Sequence, residues 1–291
     1  MDKRKPAYVI FGLGGLIGSS LLRFLNSRVE DYRIFAFDHP RVDITNADHV
    51  NQLIDYIDPT VVFNCAGISD PEICDEAKSG AFRINGVGPG IVAKACFRKK
   101  CRLVHFSSWG VLSGTGSKAN TEKSATAPLS AYGQSKLHGE EACLVSCPSS
   151  LVIRAGWAFG EDQVSGMIPG WVANADRRLQ IKVPKGIVGS PTYVEDLVDA
   201  AFKLASKEAS GIYNVANSGK ATWEEVAKET LSLCKLPTDL VVESPAIFKT
   251  KLPNNSVLSC NKYKTLTKKK FRHWKDALKE CLFHMNRYTP K

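Results

Sequence analysis

Apolar residues recur along the chain in two alternating rhythms. Ala7 to Phe11 (AYVIF) is a short β-branched and aromatic run that stops at glycines, and Ile17 to Leu25 then repeats apolar positions at helical spacing. Arg33–Phe37 gives a second strand ending at Asp38, Ala47–Ile57 a second amphipathic helix closed by Pro59, and Thr60–Phe63 a third strand. Helical periodicity over Ala77–Phe97 and an apolar run over Arg102–Phe106 continue the alternation. A helix from Tyr132 to about Val145 and a strand over Ser150–Arg154 complete it. Strands alternating with helices predict right-handed βαβ units, hence an α/β fold of the doubly wound, Rossmann type with a parallel sheet buried on both faces.

Beyond Arg154 the rhythm loosens. Residues 155–187 are rich in Gly, Pro and Trp, as a pocket-forming insert would be. Thr192–Ala205 and Thr222–Cys234 return to helix, each opened by Thr with Glu three residues on, Glu195 and Glu225, which is the capping-box signature. Ile212–Val215 reads as a strand, and the Gly/Ser-rich stretch 113–120 as a mobile surface loop. The expected organisation is a dinucleotide-binding domain from 1–154 plus 188–216, with a small C-terminal substrate-binding lobe from 155–187 plus 217–291.

A chain of 291 residues with 44% hydrophobic content can bury one large α/β core. The basic start leads into an apolar run, Ala7–Leu16, that is interrupted by glycines and reads badly as an export signal. No stretch approaches the roughly 20 apolar residues of a membrane span, so a cytoplasmic protein without membrane partners is expected. The nine cysteines contain no C-x-x-C pair and no zinc-type quartet, so reduced, mostly buried thiols and no metal are expected. Residues 235–291 hold 13 Lys/Arg against 4 Asp/Glu, which accounts for nearly all of the net charge of +10. Lys262, Lys264, Lys268, Lys269, Lys270, Arg272 and Lys275 read as a solvated surface in preference to a nucleic-acid patch. Attraction of a diphosphate-bearing substrate depends on where this segment folds.

Gly12, Gly15 and Gly18 stand at G-x-x-G-x-x-G spacing between the first strand and the first helix, with Gly14 inside the turn and Leu16 and Ile17 before the last glycine. Glycine lets the backbone bend sharply there and lets a helix N-terminus present free N–H groups to a pyrophosphate. Asp38, at the end of the second strand, is placed to accept hydrogen bonds from an adenosine ribose. It favours NADH, whereas Arg41 would admit the 2′-phosphate of NADPH, and both cofactors stay open.

Tyr132 and Lys136 lie four apart at the start of a helix and so share one face. A phenol is a poor acid or base near neutrality unless a cation stabilises its phenolate, and Lys136 supplies one. Ser108, two residues past the fourth strand, sits where open α/β sheets bind ligands, and its hydroxyl can hydrogen-bond a carbonyl that Tyr132 protonates.

With these residues the chain resembles the extended short-chain dehydrogenase/reductases, and among them the dTDP-4-dehydrorhamnose reductases. The likeness covers nearly the whole length. It includes Asp43-Ile44-Thr45, Asn64-Cys65-Ala66-Gly67, Asn85-Gly86-Val87-Gly88-Pro89-Gly90, Gly189-Ser190-Pro191-Thr192, Ala221-Thr222-Trp223 and Asn255-Ser256-Val257-Leu258. The resemblance implies that Asp43 and Ile44 flank the adenine and that Cys65, Ala66 and Gly67 line the nicotinamide side. It further implies that Asn85 holds a relay water behind Lys136 and that Trp157 packs on a sugar ring. The chain departs from the family after the fourth strand, where Ser107-Ser108-Trp109-Gly110 replaces Ser-Thr-Asp-Tyr. Trp109 joins Ser108, Tyr132 and Trp157 as a substrate contact, with a bulky indole in place of a polar acceptor.

The resemblance implies reduction of the 4-keto group of a nucleotide-linked 4-keto-6-deoxy sugar, with a nucleotide-diphosphate sugar and a second copy of the chain as partners. Two alternatives stay open: an epimerase or dehydratase on the same fold, and a non-catalytic NADP-binding regulatory subunit.

Overall fold

The computed structural model of the protein describes residues 5–28, 32–161, 166–245 and 247–289; part of the expected insert, 162–165, and the basic start, 1–4, lie outside them. Strands β1 (Ala7–Phe11), β2 (Arg33–Phe37), β3 (Val61–Asn64), β4 (Arg102–Ser108) and β5 (Leu151–Ala155) join the strand Gly211–Val215 in one sheet. Its order is Gly211–Val215, β5, β4, β3, β1, β2, and every pairing is parallel. This is the doubly wound sheet expected from the alternation. The chain reverses direction across the sheet between β1 and β3, and the crevice at that switch point is where such sheets bind ligands.

Period-2 alternation explains how the sheet is covered on both sides. Ile10, Phe63, Val104 and Ile153 point into one core with helices α1 (Leu16–Asn26) and, further on, Val194–Ser206. Val9, Phe11, Val62, Leu103 and Val152 point into the other, with α2 (Ala47–Ile57) and the helices that follow β3.

The helix expected over 77–97 is broken. A short α3 (Pro71–Glu76), capped by Asp70, and α4 (Lys78–Ala81) lead into a π-helical turn over Phe82–Val87 before α5 (Gly88–Lys99). A π turn inserts an extra residue per turn. Here it accompanies the close approach of α6 (Ala131–Ser146), since a Cβ on Gly139 would lie 2.2 Å from the Asn85 carbonyl oxygen.

The remaining helices are α7 (Met167–Asp176), α8 (Val194–Ser206), α9 (Trp223–Leu233), α10 (Asn261–Thr267) and α11 (Trp274–His284). The Thr222–Glu225 capping box of α9 is present. The matching expectation for Thr192 is overturned. Thr192 is buried in the short strand Pro191–Tyr193, its hydroxyl donates to the Ser190 carbonyl at 3.0 Å, and α8 starts two residues later with no side-chain cap. Pairing of that strand with Trp157–Phe159 draws Thr192 into extended backbone.

The stretch 113–120 is a surface loop, but it is tethered. Asn255 Nδ2 donates to the carbonyls of Gly116 and Lys118 at 3.0 and 2.8 Å, and Asn120 is bonded to Asn255 and Val257. The basic C-terminal segment divides. Lys262 donates to the Ile212 carbonyl, Arg272 pairs with Asp196 and Glu280, and Lys275 pairs with Glu229, whereas Lys264, Lys268, Lys269 and Lys270 are exposed. Among the described residues no helix is long and apolar enough to cross a membrane, no group of side chains forms a metal site, and all nine cysteines are free.

Candidate active site

The groove at the C-terminal ends of β1, β3 and β4 consists of two adjoining cavities of about 560 and 340 Å³ that share Gly15 and Gly67. A further depression of about 540 Å³, between Tyr8, Thr60 and Arg102, lies at the opposite ends of the strands and holds none of the candidate residues.

The larger cavity is lined by Gly12, Gly15, Asp38, Asp43, Ile44 and Ala66, among others. Gly12 has φ +83°, and a Cβ there would come within 2.5 Å of the Ala66 nitrogen, so only glycine allows β1 to turn so close to β3. Gly18 lies beneath the turn and forms none of its wall: a Cβ would meet the Gly12 carbonyl at 2.1 Å, so its role is to let α1 pack on the turn. Helix α1 then opens at Gly15 with no side-chain cap and no acidic residue in its first turn. Its free N–H groups face a mouth left open by exposed Gly14 and Gly15, which is the arrangement a pyrophosphate needs. The chain thus fits a dinucleotide.

Asp43 is locked by Thr45, whose hydroxyl and N–H both donate to it, and these bonds hold its carboxyl below the usual range. Arg83, on the π turn, donates to the Thr45 hydroxyl at 3.0 Å and lines the same cavity. Arg41 is exposed and is not among the lining residues, so the guanidinium that lines this cavity is Arg83, which sequence reasoning missed.

The smaller cavity takes Leu16, Ile17 and Cys65 from the turns after β1 and β3, Ser108 and Trp109 from the end of β4, Tyr132 from α6, and Trp157 after β5. Seven of the expected site residues, from five separate stretches of chain, therefore face one space. Ser108 and Ser107 are the last two residues of β4 itself. Ser108 accepts from the Gly110 N–H at 3.1 Å and lies beside Tyr132. Ser107 turns away and donates to Glu140 at 2.5 Å.

Tyr132 is 8% exposed, and burial pushes its phenol up to about 12, against a smaller downward pull from Ser108. The cation expected to lower it does not do so in this geometry. Lys136 donates to the Phe106 carbonyl at 2.6 Å, and burial pulls its ammonium down to about 8, with Glu140 acting in the opposite sense. Glu140 is held in turn by a bidentate Arg154, both side chains being buried. Asn85 is fully buried within the π turn, bonded to the N–H and carbonyl of Ile68 and to Ser135. A Cβ on Gly67 would lie 2.8 Å from Asn85 Oδ1 and 3.6 Å from Lys136 Nζ, so both groups stand behind the same glycine.

Trp157 is 3% exposed, with its ring packed over Gly189. It is one of an arc of aromatic residues. Trp109 meets it edge-on at 6.2 Å, Trp223 lies 4.8 Å away on the other side, and Phe248 follows at 6.2 Å from Trp223. Trp223, Phe248, Leu252 and Met167 were not expected in the wall. Only Trp223, beside a capping box, carried any signal.

Comparison with known proteins agrees with this geometry. Residues 7–287 match the family described as the RmlD substrate binding domain. The chain is 30% identical over 276 residues to the spore coat polysaccharide biosynthesis protein SpsK of Bacillus subtilis, covering 94% of this chain and 96% of that one. It is 29% identical over 283 residues to a dTDP-4-keto-6-deoxy-D-glucose reductase of Streptomyces niveus, covering 96% and 97%. A crystal structure of dTDP-4-dehydrorhamnose reductase from Bacillus anthracis in complex with NADP superposes with a TM-score of 0.91 at 26% identity, covering 96% of this chain and 99% of that one. With its glycine turn, strand-end serine and Tyr132–Lys136 helix in place along nearly its whole length, the chain belongs to the RmlD substrate binding domain family.

Proposed function

We propose that the protein reduces the 4-keto group of a nucleotide-linked 4-keto-6-deoxy sugar with NADPH or NADH, as a step of deoxysugar biosynthesis. The observation that carries this reading is the convergence of Ser108 and Tyr132 on one small cavity that opens through Gly15 and Gly67 into the dinucleotide groove. The names of the relatives, reductases of dTDP-linked keto-sugars, supply the substrate class.

When bound, the dinucleotide supplies hydride. The chain does the rest. Ser108 donates a hydrogen bond to the substrate carbonyl and orients it, and Tyr132 gives a proton to the same oxygen. A phenol at about 12 is fully protonated at neutral pH, which is the form a reduction requires. Lys136, one turn along the same face of α6, is the cation that receives the resulting phenolate, and Asn85, behind the same Gly67, is the residue that would hold a relay water beside it. Asp38 lines the adenosine end and favours NADH, while Arg83 is the cation available to a 2′-phosphate.

A dehydratase needs an added acid and base to expel water. Among the described residues of the smaller cavity there is no carboxylate or imidazole to provide them, which favours simple reduction. Tyr132→Phe should bind NADPH as the wild type does while kcat falls by about 10²- to 10⁴-fold, measured by cofactor oxidation with a dTDP-4-keto-6-deoxy sugar. Wild-type turnover in that variant would exclude the mechanism, and turnover without net cofactor loss would point to an epimerase.

A further inference from the structure

Away from the groove, two cysteines meet at the wall of another cavity. Cys96 lies in the last turn of α5, Cys101 immediately precedes β4, and both line the depression of about 540 Å³ at the opposite ends of the strands. The chain between them ends the helix in a fixed way. Lys100 takes the left-handed conformation with φ +54°, its N–H donates to the Phe97 carbonyl at 3.2 Å, and the Cys101 N–H donates back to the Cys96 carbonyl at 3.1 Å. These are the two bonds of a Schellman closure, which brings the side chains at the ends of the longer bond, here Cys96 and Cys101, into contact. The other cysteines near Cys96 are engaged elsewhere: Cys143 Sγ donates to the Pro89 carbonyl at 3.5 Å, and Cys147 Sγ is paired with Ser149 Oγ at 3.4 Å.

The two thiols differ in character. The Cys101 thiol is drawn below its ordinary value by the Cys96 thiol beside it, against burial and Asp58, with Lys99 assisting, while Cys96 itself is pushed up. Burial also pushes up Cys65, Cys74, Cys143, Cys234, Cys260 and Cys281. The thiolate is the form that reacts with an oxidant, and a neighbouring thiol resolves the product. Independently of the keto-sugar reading, we propose that Cys96 and Cys101 form a reversible dithiol–disulfide site that takes a peroxide as oxidant. The Cys101 sulfur attacks one peroxide oxygen, the O–O bond breaks, and the departing hydroxide takes up a proton to leave as water. The Cys96 thiol then attacks the Cys101 sulfenic acid: the S–S bond forms, the S–O bond breaks, and a second water leaves with the Cys96 proton. Two thiols and one peroxide give one disulfide and two waters, and a small-molecule thiol reverses the bond. The bridge fastens the end of α5 to the start of β4, at the end of that strand remote from Ser108.

The experiment treats the reduced full-length protein with hydrogen peroxide, removes the peroxide with catalase, then denatures, alkylates the remaining thiols and maps them by mass spectrometry. The expected result is loss of two of the nine alkylatable thiols, a tryptic fragment joining Cys96 to Cys101, and recovery of all nine with dithiothreitol. Cys101→Ser should slow the loss of thiols by about tenfold or more. Cys96→Ala leaves the attacking thiol without its partner and should accumulate a Cys101 sulfenic acid that dimedone traps. Nine thiols remaining in the wild type, under treatment that fully oxidises free cysteine in the same solution, would overturn the proposal, and so would a bridge between any other two cysteines. Absence of a trapped sulfenic acid at Cys101 in Cys96→Ala would overturn the division of roles.

Discussion

Lys136 carries the heaviest electrostatic load in the groove. Its ammonium is buried and drawn down to about 8 from an ordinary 10.5, so the folded state holds its proton less firmly than the unfolded chain does. Between those two values the unfolded state binds more protons, and this group makes stability rise with pH over about 8 to 10.5, with the full penalty present below 8. At neutral pH the penalty is of the order of 3 kcal/mol, partly offset by the hydrogen bond to Phe106. Lys136→Met should therefore raise unfolding free energy at pH 7 by about 1–2 kcal/mol, flatten the pH dependence above 8, and abolish turnover. Urea unfolding of both proteins at pH 7 and pH 9.5 measures this, and a less stable variant at pH 7 would refute it. The spacing of Tyr132 and Lys136 was legible in the sequence. Their protonation was not, because it depends on burial and on where the ammonium turns.

At the scale of the element, α6 does more than present Tyr132. Tyr132, Lys136 and Glu140 recur every four residues along one buried face, and Glu140 ties that face to β4 through Ser107 and to β5 through Arg154. Removing one partner of such a buried pair strands the other's charge. Glu140→Gln should cost about 3–5 kcal/mol, and adding Arg154→Met should recover more than half of it. Denaturant midpoints of the single and double variants decide the matter, and equal losses in both would show that the pair is not coupled. Sequence periodicity located α6 to within two residues at either end. It gave no warning of the π turn at Phe82–Val87 or of the strand that captured Thr192, since each is imposed by a neighbouring element: α6 pressing on Asn85, and Trp157–Phe159 pairing with Pro191–Tyr193.

Across the whole molecule, residues distant in sequence close the smaller cavity. Asn255–Ser256 pairs with Val188–Gly189, Gly189 lies under the Trp157 ring, and the Asn255 amide ties down the loop after β4. Asn255→Ala should leave cofactor affinity unchanged, raise KM for the sugar several-fold, and speed tryptic cleavage at exposed Lys118 by about tenfold, because the freed carbonyls of Gly116 and Lys118 no longer hold the loop. Cleavage at the wild-type rate would mean that the loop is held by other contacts. Glycine and serine content described the local freedom of 113–120 and gave no sign of a tether arriving from residue 255.

The sequence alone determined the alternation of strands and helices, the glycine turn, and the identities of Ser108, Tyr132 and Lys136. These rest on local properties: side-chain period, backbone freedom and the chemistry a residue type can perform. Only the tertiary structure decided which of them share a cavity, that Gly18 serves packing, that Arg83 and not Arg41 lines the larger cavity, and that Trp109, Trp157, Trp223 and Phe248 form one wall. Those outcomes depend on distances between segments far apart in the chain, and on burial, which sets the proton affinity of Tyr132.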